Sequence, residues 1–349
     1  MQEYRSEAQS AGSWESEQVV QSASPTLIAV VIPAYRVRAH ILDVISGIGP
    51  QCTRIYVVDD CCPEETGKFV SEHCQDPRVS VVYHAVNQGV GGAMMTGYST
   101  AMDDGCDIIV KVDGDGQMDP SLIPSFTAPI ERGDADYTKG NRFYDLTHIQ
   151  RMPFVRRIGN LGLSFMAKAS TGYWDLFDPT NGYTAIHRSA LAMVSGSSIS
   201  KRYFFETDML FRLNIVRAVV IDVPMHAQYG DEVSNLKVSQ VFGEFLFKHV
   251  RNLCKRIVYN YFLRDLSVAS LELLSGCIML VIGLVIGVVF WMHASTLGAP
   301  ASAGAVMLPT LLIVLGIQLL LAFLAYDVAS VPRYPLHRRL RIDRPRYRA

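Results

Sequence analysis

Four short apolar runs punctuate the first third of the chain, and each ends in polar or glycine-rich residues. They are Leu27–Ile32 before Pro33-Ala34-Tyr35, Arg54–Val58 before Asp59-Asp60, Val79–Tyr83 before Asn87-Gln88-Gly89-Val90-Gly91, and Ile108–Val112 before Asp113. Helical spacing separates them, at Ile41, Leu42, Val44, Ile45 and Ile48, and again from Ala93 to Met102. Short, largely apolar strand-length runs that alternate with helices predict an α/β fold, a mainly parallel sheet covered on both faces. Such a sheet opens a nucleotide-sized crevice at the carboxyl ends of its strands. Further strands are expected at Ala135–Gly140 and Val219–Val223, and helices over 153–170 and from Phe204 to about Arg217. Asp178-Pro179-Thr180-Asn181-Gly182 is a turn by composition.

From Lys237 the pattern changes. Val238, Val241, Phe242, Phe245, Leu246, Leu253 and Ile257 recur at helical spacing, interleaved with Lys248, Arg251, Lys255 and Arg256. The result is either a surface helix of the domain or a helix lying in a membrane interface. Leu266–Met292, with Glu272 as its one acid, and residues 305–326, without charge, are each long enough to cross roughly 30 Å of hydrocarbon. Their link, His293–Gly304, carries no Lys or Arg, whereas both outer flanks are basic, which places both flanks in the cytoplasm. The expected organisation is a disordered leader over 1–26, a catalytic domain over 27–232, amphipathic juxtamembrane helices over 233–264, two transmembrane helices over 265–329 and a basic cytoplasmic tail over 330–349. The arginines of that tail are either simply solvated or held beside an anionic leaflet.

Composition refines this picture. At 349 residues, with 49% hydrophobic content, the chain has room for one catalytic domain plus apolar appendages. A net charge of −1 by itself argues neither for nor against nucleic acid, and none is expected as a partner. The seven cysteines show no zinc spacing and are read as reduced thiols, while His84, His148, His187, His226 and His249 are unclustered and read as structural.

The chemistry concentrates after the fourth strand, in Asp113-Gly114-Asp115-Gly116-Gln117. Two carboxylates and a carboxamide at the end of a buried strand gather hard oxygen ligands suited to Mg²⁺ or Mn²⁺. A divalent ion on Asp113 and Asp115, with Gln117 close by, would stabilise a pyrophosphate as a leaving group.

Taken together, Val30-Val31-Ile32-Pro33-Ala34-Tyr35, Val57-Val58-Asp59-Asp60, Asn87-Gln88-Gly89-Val90-Gly91 and Asp113-Gly114-Asp115-Gly116-Gln117 resemble the family 2 glycosyltransferases. Within them the chain is most similar to the dolichyl-phosphate mannose synthases and their bacterial polyprenyl-phosphate relatives. The resemblance implies a nucleotide-sugar-binding domain of the GT-A type. It implies that Pro33, Tyr35, an aspartate of the pair Asp59 and Asp60, Asn87, Gly91 and Asp113 hold the nucleotide sugar. Asp113, Asp115 and Gln117 match the family's metal-binding residues, and Arg142, in Gly140-Asn141-Arg142, matches an arginine that faces the phosphates. Arg156 and Arg157 match the pair preceding the helix that receives a lipid phosphate, which puts Asn160 and Asp178 on the acceptor side. Two departures fall on the donor side: Arg36-Val37 stands where Asn-Glu is usual, and Cys61-Cys62 where Gly-Ser is usual.

The expected activity is inverting transfer of a sugar from a UDP- or GDP-sugar to a polyprenyl phosphate at the cytoplasmic face, by an enzyme that relatives suggest is a homo-oligomer. A phosphate acceptor is already anionic, whereas a hydroxyl acceptor, as in extension of a lipid-linked saccharide, needs a general base. Glu206 and Asp208 are the candidates for that base; Asp208 also reads as an acid favoured by a helix start, and Glu206 as the partner of a basic loop. A third expectation, of another class, is an inactive nucleotide-sugar-binding scaffold. Two largely uncharged spans offer no polar path for a channel or transporter.

Overall fold

The computed structural model describes residues 26–144, 154–194, 199–225 and 238–340, without the side chains of 154–158, 160 and 238–242. The expected leader, His148, His226 and the end of the basic tail lie outside the described residues. Seven strands form one sheet in the order β3-β2-β1-β4-β6-β5-β7. They are β1 Ile28–Ala34, β2 Arg54–Asp59, β3 Val79–Tyr83, β4 Ile108–Lys111, β5 Tyr137–Asn141, β6 Thr184–His187 and β7 Val220–Pro224. The pairs β1–β2, β1–β4, β2–β3 and β5–β7 are parallel, and β6 runs antiparallel between β4 and β5.

The strand β6 is invisible in the hydrophobic pattern because it is four residues long and half polar. Its direction matters more than its length. Running against β4, with Thr184 opposite Lys111, it delivers the preceding turn, 178–182, to the carboxyl end of β4.

Strand side chains alternate between faces, so one sequence builds two cores. Ala29, Val31, Tyr56, Val58 and Ile109 pack on one face against α3 (Val90–Asp103), α6 (Arg188–Val194) and α7 (Phe205–Ile215). Ile28, Val30, Ile32, Ile55, Val57 and Val110 pack on the other against α1 (Ile41–Ser46) and α4 (Ile123–Glu131). A short helix α2 (Thr66–His73) flanks β2 and β3.

The remaining helices begin with α5 (Phe154–Thr171) and α8 (Val238–Val258), followed by a π turn at Tyr259–Leu263. Ser267 and Ser270 form a capping box that starts α9 (Val268–Leu297), which is antiparallel to α10 (Ala303–Ala329). Both helices are long and apolar enough to cross a membrane. They approach closely at Gly276 and Gly316: a Cβ on either would stand about 3 Å from the other's carbonyl oxygen.

A buried cluster joins this hairpin to the domain. Asp327, at the end of α10, accepts from Arg256 Nη1 at 2.6 Å and Nη2 at 2.9 Å, from the Tyr261 hydroxyl at 2.6 Å and from Trp174 Nε1 at 2.9 Å. Arg256 also donates to the Ala169 carbonyl at the end of α5. Beyond α10 the chain turns back, and α11 (Leu336–Arg339) docks on the domain. The fully buried Asp136 accepts the backbone N–H groups of Leu336 and His337 and the Nδ1 of His337. Burial opposes the charge of Asp136, but these donors and Val219 N–H hold its carboxyl below the ordinary range.

Two outcomes follow from this packing. Asp327→Ala leaves Arg256 buried without a counter-charge and lowers stability by about 3–5 kcal/mol, whereas Arg256→Met with Asp327→Leu regains most of the loss. Thermal unfolding in detergent reads both, and an unshifted Asp327→Ala melt overturns the assignment. The second outcome concerns His249, 3% exposed, its Nδ1 paired with Ser170 Oγ and its pKa pushed down to about 4 by burial. An unfolded histidine titrates near pH 6.5, so the unfolded chain takes up this proton first, and stability is lost as pH falls from about 6.5 to 4. His249→Phe is expected to flatten that part of the profile, by about 2 kcal/mol at pH 5; a profile as steep as the parent's removes His249 as a cause.

Candidate active site

A cleft of about 670 Å³ opens at the carboxyl ends of the parallel strands. The strand order sets the sequence of groups along it. Asp60 follows β2, Pro33 to Tyr35 end β1, Asp113, Asp115 and Gln117 follow β4, Thr180 to Gly182 precede β6, and Arg142 follows β5. Arg202, Tyr203 and Glu206 close the cleft from the start of α7.

At its centre lies Lys111, the last residue of β4 and 1% exposed. Its Nζ is 2.8 Å from Asp113 Oδ1, 3.1 Å from the Gly182 carbonyl oxygen and 3.5 Å from Glu206 Oε1. Burial works against this ammonium, but Asp113 and Glu206 outweigh it and hold the lysine above its ordinary value. For Glu206 burial dominates and raises its carboxyl, against the pull of Lys111. Gly182 is required by contact: a Cβ there would stand 2.5 Å from Lys111 Nζ and 3.1 Å from Asp113 Oδ2. Asp115 accepts the Gln117 N–H at 3.0 Å, which curls the loop back across the end of β4.

On the side of β1 and β2 the two aspartates divide. Asp59 receives the Cys62 N–H at 2.7 Å and the Gly67 N–H at 2.6 Å, away from the cleft, and fixes the loop into α2. Asp60 lines the cleft and accepts from Gln88 and Gly89 N–H and pairs with His84 Nδ1 at 2.7 Å, while Asn87 donates to the Asp60 carbonyl. Gly91, at the start of α3, gives its N–H to the Lys201 carbonyl at 2.9 Å, so this helix end is capped by the segment before α7. The two departures from the family pattern form one feature, since the Arg36 N–H donates to Cys62 Sγ at 3.1 Å and both Arg36 and Cys61 sit at positive φ.

On the side of β5, Arg142 grips the fully buried Asp178 with both arms of its guanidinium, Nε to Oδ2 at 2.7 Å and Nη2 to Oδ1 at 3.1 Å. Burial opposes the charge on Asp178, but Arg142 and Lys139 hold its carboxyl below the ordinary range. Asp178 thereby fixes a cation at the rim of the cleft and does not itself line it. Arg156, Arg157 and Asn160 lie in the first turns of α5, and their side chains are outside the described residues. Asp208, 1% exposed, accepts from Ser200 N–H at 2.8 Å and Asn252 Nδ2 at 3.2 Å and meets Arg212 Nε at 3.5 Å. It is a strut between α7 and α8.

Three polar side chains of the cleft escaped the sequence reading: Lys111, Arg202 and Tyr203. Lys111 did leave a signal, as the one charge inside an otherwise apolar strand. Arg202 and Tyr203 left none, being loop residues brought in by the fold.

The profile of Glycosyl transferase family 2 matches residues 29–194. The UDP-N-acetylglucosamine--dolichyl-phosphate N-acetylglucosaminyltransferase of Methanococcus voltae is 30% identical over 219 residues, covering 59% of this chain and 87% of that protein. The undecaprenyl-phosphate mannosyltransferase of Micrococcus luteus is 29% identical over 49% of this chain and 70% of its own length. The dolichol-phosphate mannosyltransferase of Pyrococcus furiosus is 23% identical over 72% of this chain and 70% of its own. With the aspartates that follow its fourth strand lining the cleft and the family profile laid over that same sheet, the chain belongs to glycosyl transferase family 2.

Proposed function

We propose that the protein transfers a sugar from a UDP- or GDP-sugar to a polyprenyl phosphate, with inversion, at the cytoplasmic face of a membrane. The observation that carries the reading is the order of groups along the cleft: Asp60, Pro33 and Tyr35, then Asp113 and Asp115, then Arg142. A base and ribose lie over β2 and β1, the diphosphate at β4, and the acceptor phosphate toward Arg142 and the arginines Arg156 and Arg157 of α5. The named relatives act on dolichyl or undecaprenyl phosphates.

Asp113, Asp115 and Gln117 suit a divalent ion in donor chemistry: two carboxylates and a carboxamide, all oxygen donors, line one wall of the cleft. Mg²⁺ and Mn²⁺ sites in nucleotide enzymes commonly use one or two carboxylates and complete their shell with phosphate and water. These three residues would hold Mg²⁺ or Mn²⁺, which supplies positive charge to a departing diphosphate. The chain's own groups do the rest. Arg142, fixed by Asp178, steadies the acceptor phosphate, whose anionic oxygen attacks the anomeric carbon while the nucleoside diphosphate leaves on the opposite side. Asp208, committed to Ser200, Asn252 and Arg212, does not serve as the base that a hydroxyl acceptor needs.

The residues over 27–232 act as the transferase domain, 233–264 as interfacial helices, 265–329 as the spans and 330–349 as a basic cytoplasmic tail. Exposed Leu246, Phe247 and Val250 on α8, beside Lys248 and Arg251, support the interfacial placement. Docking of α11 on Asp136 supports a hairpin whose two ends face the same side. Self-association through the spans belongs to the same reading: Gln318, exposed midway along α10, offers a carboxamide to a second copy.

The test is a panel of radiolabelled UDP- and GDP-sugars with undecaprenyl and dolichyl phosphates, followed by extraction into organic solvent. Acid-labile, lipid-soluble label is expected from one donor. Asp115→Asn is expected to lower transfer by a factor on the order of 10² or more. An Asp115→Asn enzyme as fast as the parent would falsify the reading.

A further inference from the structure

Glu206, Lys111 and Arg202 are the charged side chains of the cleft to which the transfer chemistry gives no task, and the first two are paired. Lys111 has three N–H groups and three acceptors around them, Asp113, the Gly182 carbonyl and Glu206. It has no donor left for a bound molecule. Glu206 is different. It lines the cleft with a side chain 14% exposed, and its carboxylate meets only Lys111 and its own backbone N–H among the described partners. A carboxylate accepts about four hydrogen bonds, so part of its capacity faces the cavity, where it is met by O–H or N–H donors or left unfilled at a cost.

Position decides which donors. With the base over β2 and β1 and the diphosphate at Asp113 and Asp115, the next group of the donor is its sugar. Glu206 is tied to Asp113 through the single ammonium of Lys111, so it stands beside that sugar, while Arg142 lies further along, after β5. Resting on the donor reading above, we infer that Glu206 reads the donor sugar: its carboxylate accepts the hydroxyls of a neutral hexose or N-acetylhexosamine and turns away a uronic acid. Lys111 is the positioning residue that aims it, and Gly182 is the gap that lets Lys111 reach both carboxylates. Selectivity arises because a buried acceptor rewards a hydroxyl donor and repels a second carboxylate without water to screen the two.

Calorimetric titration of the full chain in detergent with Mn²⁺ tests this, using UDP, GDP, UDP-N-acetylglucosamine, UDP-glucose, UDP-glucuronic acid and GDP-mannose. Glu206→Gln is expected to weaken the preferred neutral-sugar nucleotide by about tenfold or more, the worth of a hydrogen bond to a charged group. Binding of the bare nucleoside diphosphate stays within about twofold of the parent, which also reports an intact fold. Glu206→Asp, which keeps the charge on Lys111 but draws the carboxylate back from the cleft, loses the same increment. UDP-glucuronic acid binds the parent more weakly than UDP-glucose, and Glu206→Gln narrows that gap. Sugar-nucleotide binding unchanged in Glu206→Gln overturns the inference. So does a loss in Glu206→Gln that Glu206→Asp fully restores, which is charge balance alone, or a loss of turnover with sugar binding intact, the mark of a general base. A parent protein that binds neither UDP nor GDP refutes the donor reading itself, and is thereby distinguished from a failure at Glu206.

Discussion

An ammonium buried in a sheet must be surrounded by acceptors, and much of the active site can be understood as the surroundings of Lys111. Desolvating a lone charge costs several kcal/mol, and two carboxylates and a carbonyl oxygen offset that cost here. Each of the three comes from a different part of the chain: the loop after β4, the start of α7 and the turn before β6. Holding them to one nitrogen brings together segments nearly a hundred residues apart. The antiparallel entry of β6 and the missing side chain at Gly182 are then requirements of the same contact.

The half of the fold built on β1 to β4 was legible because β1, β2 and β4 are buried on both faces and therefore largely apolar. Val30-Val31-Ile32 and Val57-Val58 admit few other readings, and the residues that follow them reach the cleft as strand ends must. The second half was not legible in the same way. β6 is too short and too polar to show a period. The site residues divide along similar lines. Asp113, Asp115, Gln117, Asp60 and Arg142 stand at the cleft, since a loop at a strand end has little freedom of place. Asp59 and Asp208 carry the same chemistry as their neighbours, but sequence alone does not say whether a carboxylate will be spent on nearby N–H groups. Here Cys62 and Gly67 take one, and Ser200 and Asn252 the other.

Two arginine–carboxylate pairs serve as joints in this structure. Arg142 with Asp178 fixes a cation at the rim of the cleft, and Arg256 with Asp327 fixes the hairpin to the domain. Both pairs are bidentate, and both carboxylates have further donors. Full satisfaction of the buried oxygens is what turns an expensive charge into a rigid joint.

The docking of α11 on Asp136 has a mechanical consequence. A domain tethered to a membrane helix at one point can swivel about that tether and present any face to the lipid. This chain leaves the domain through α8 and returns to it through α11, so the hairpin is held at two separated points. Rotation about the membrane normal then carries the whole body together, and tilting away would break one attachment. An acceptor diffusing in the plane of the bilayer therefore meets a cleft whose height and bearing are already set, and its search is one of lateral position alone.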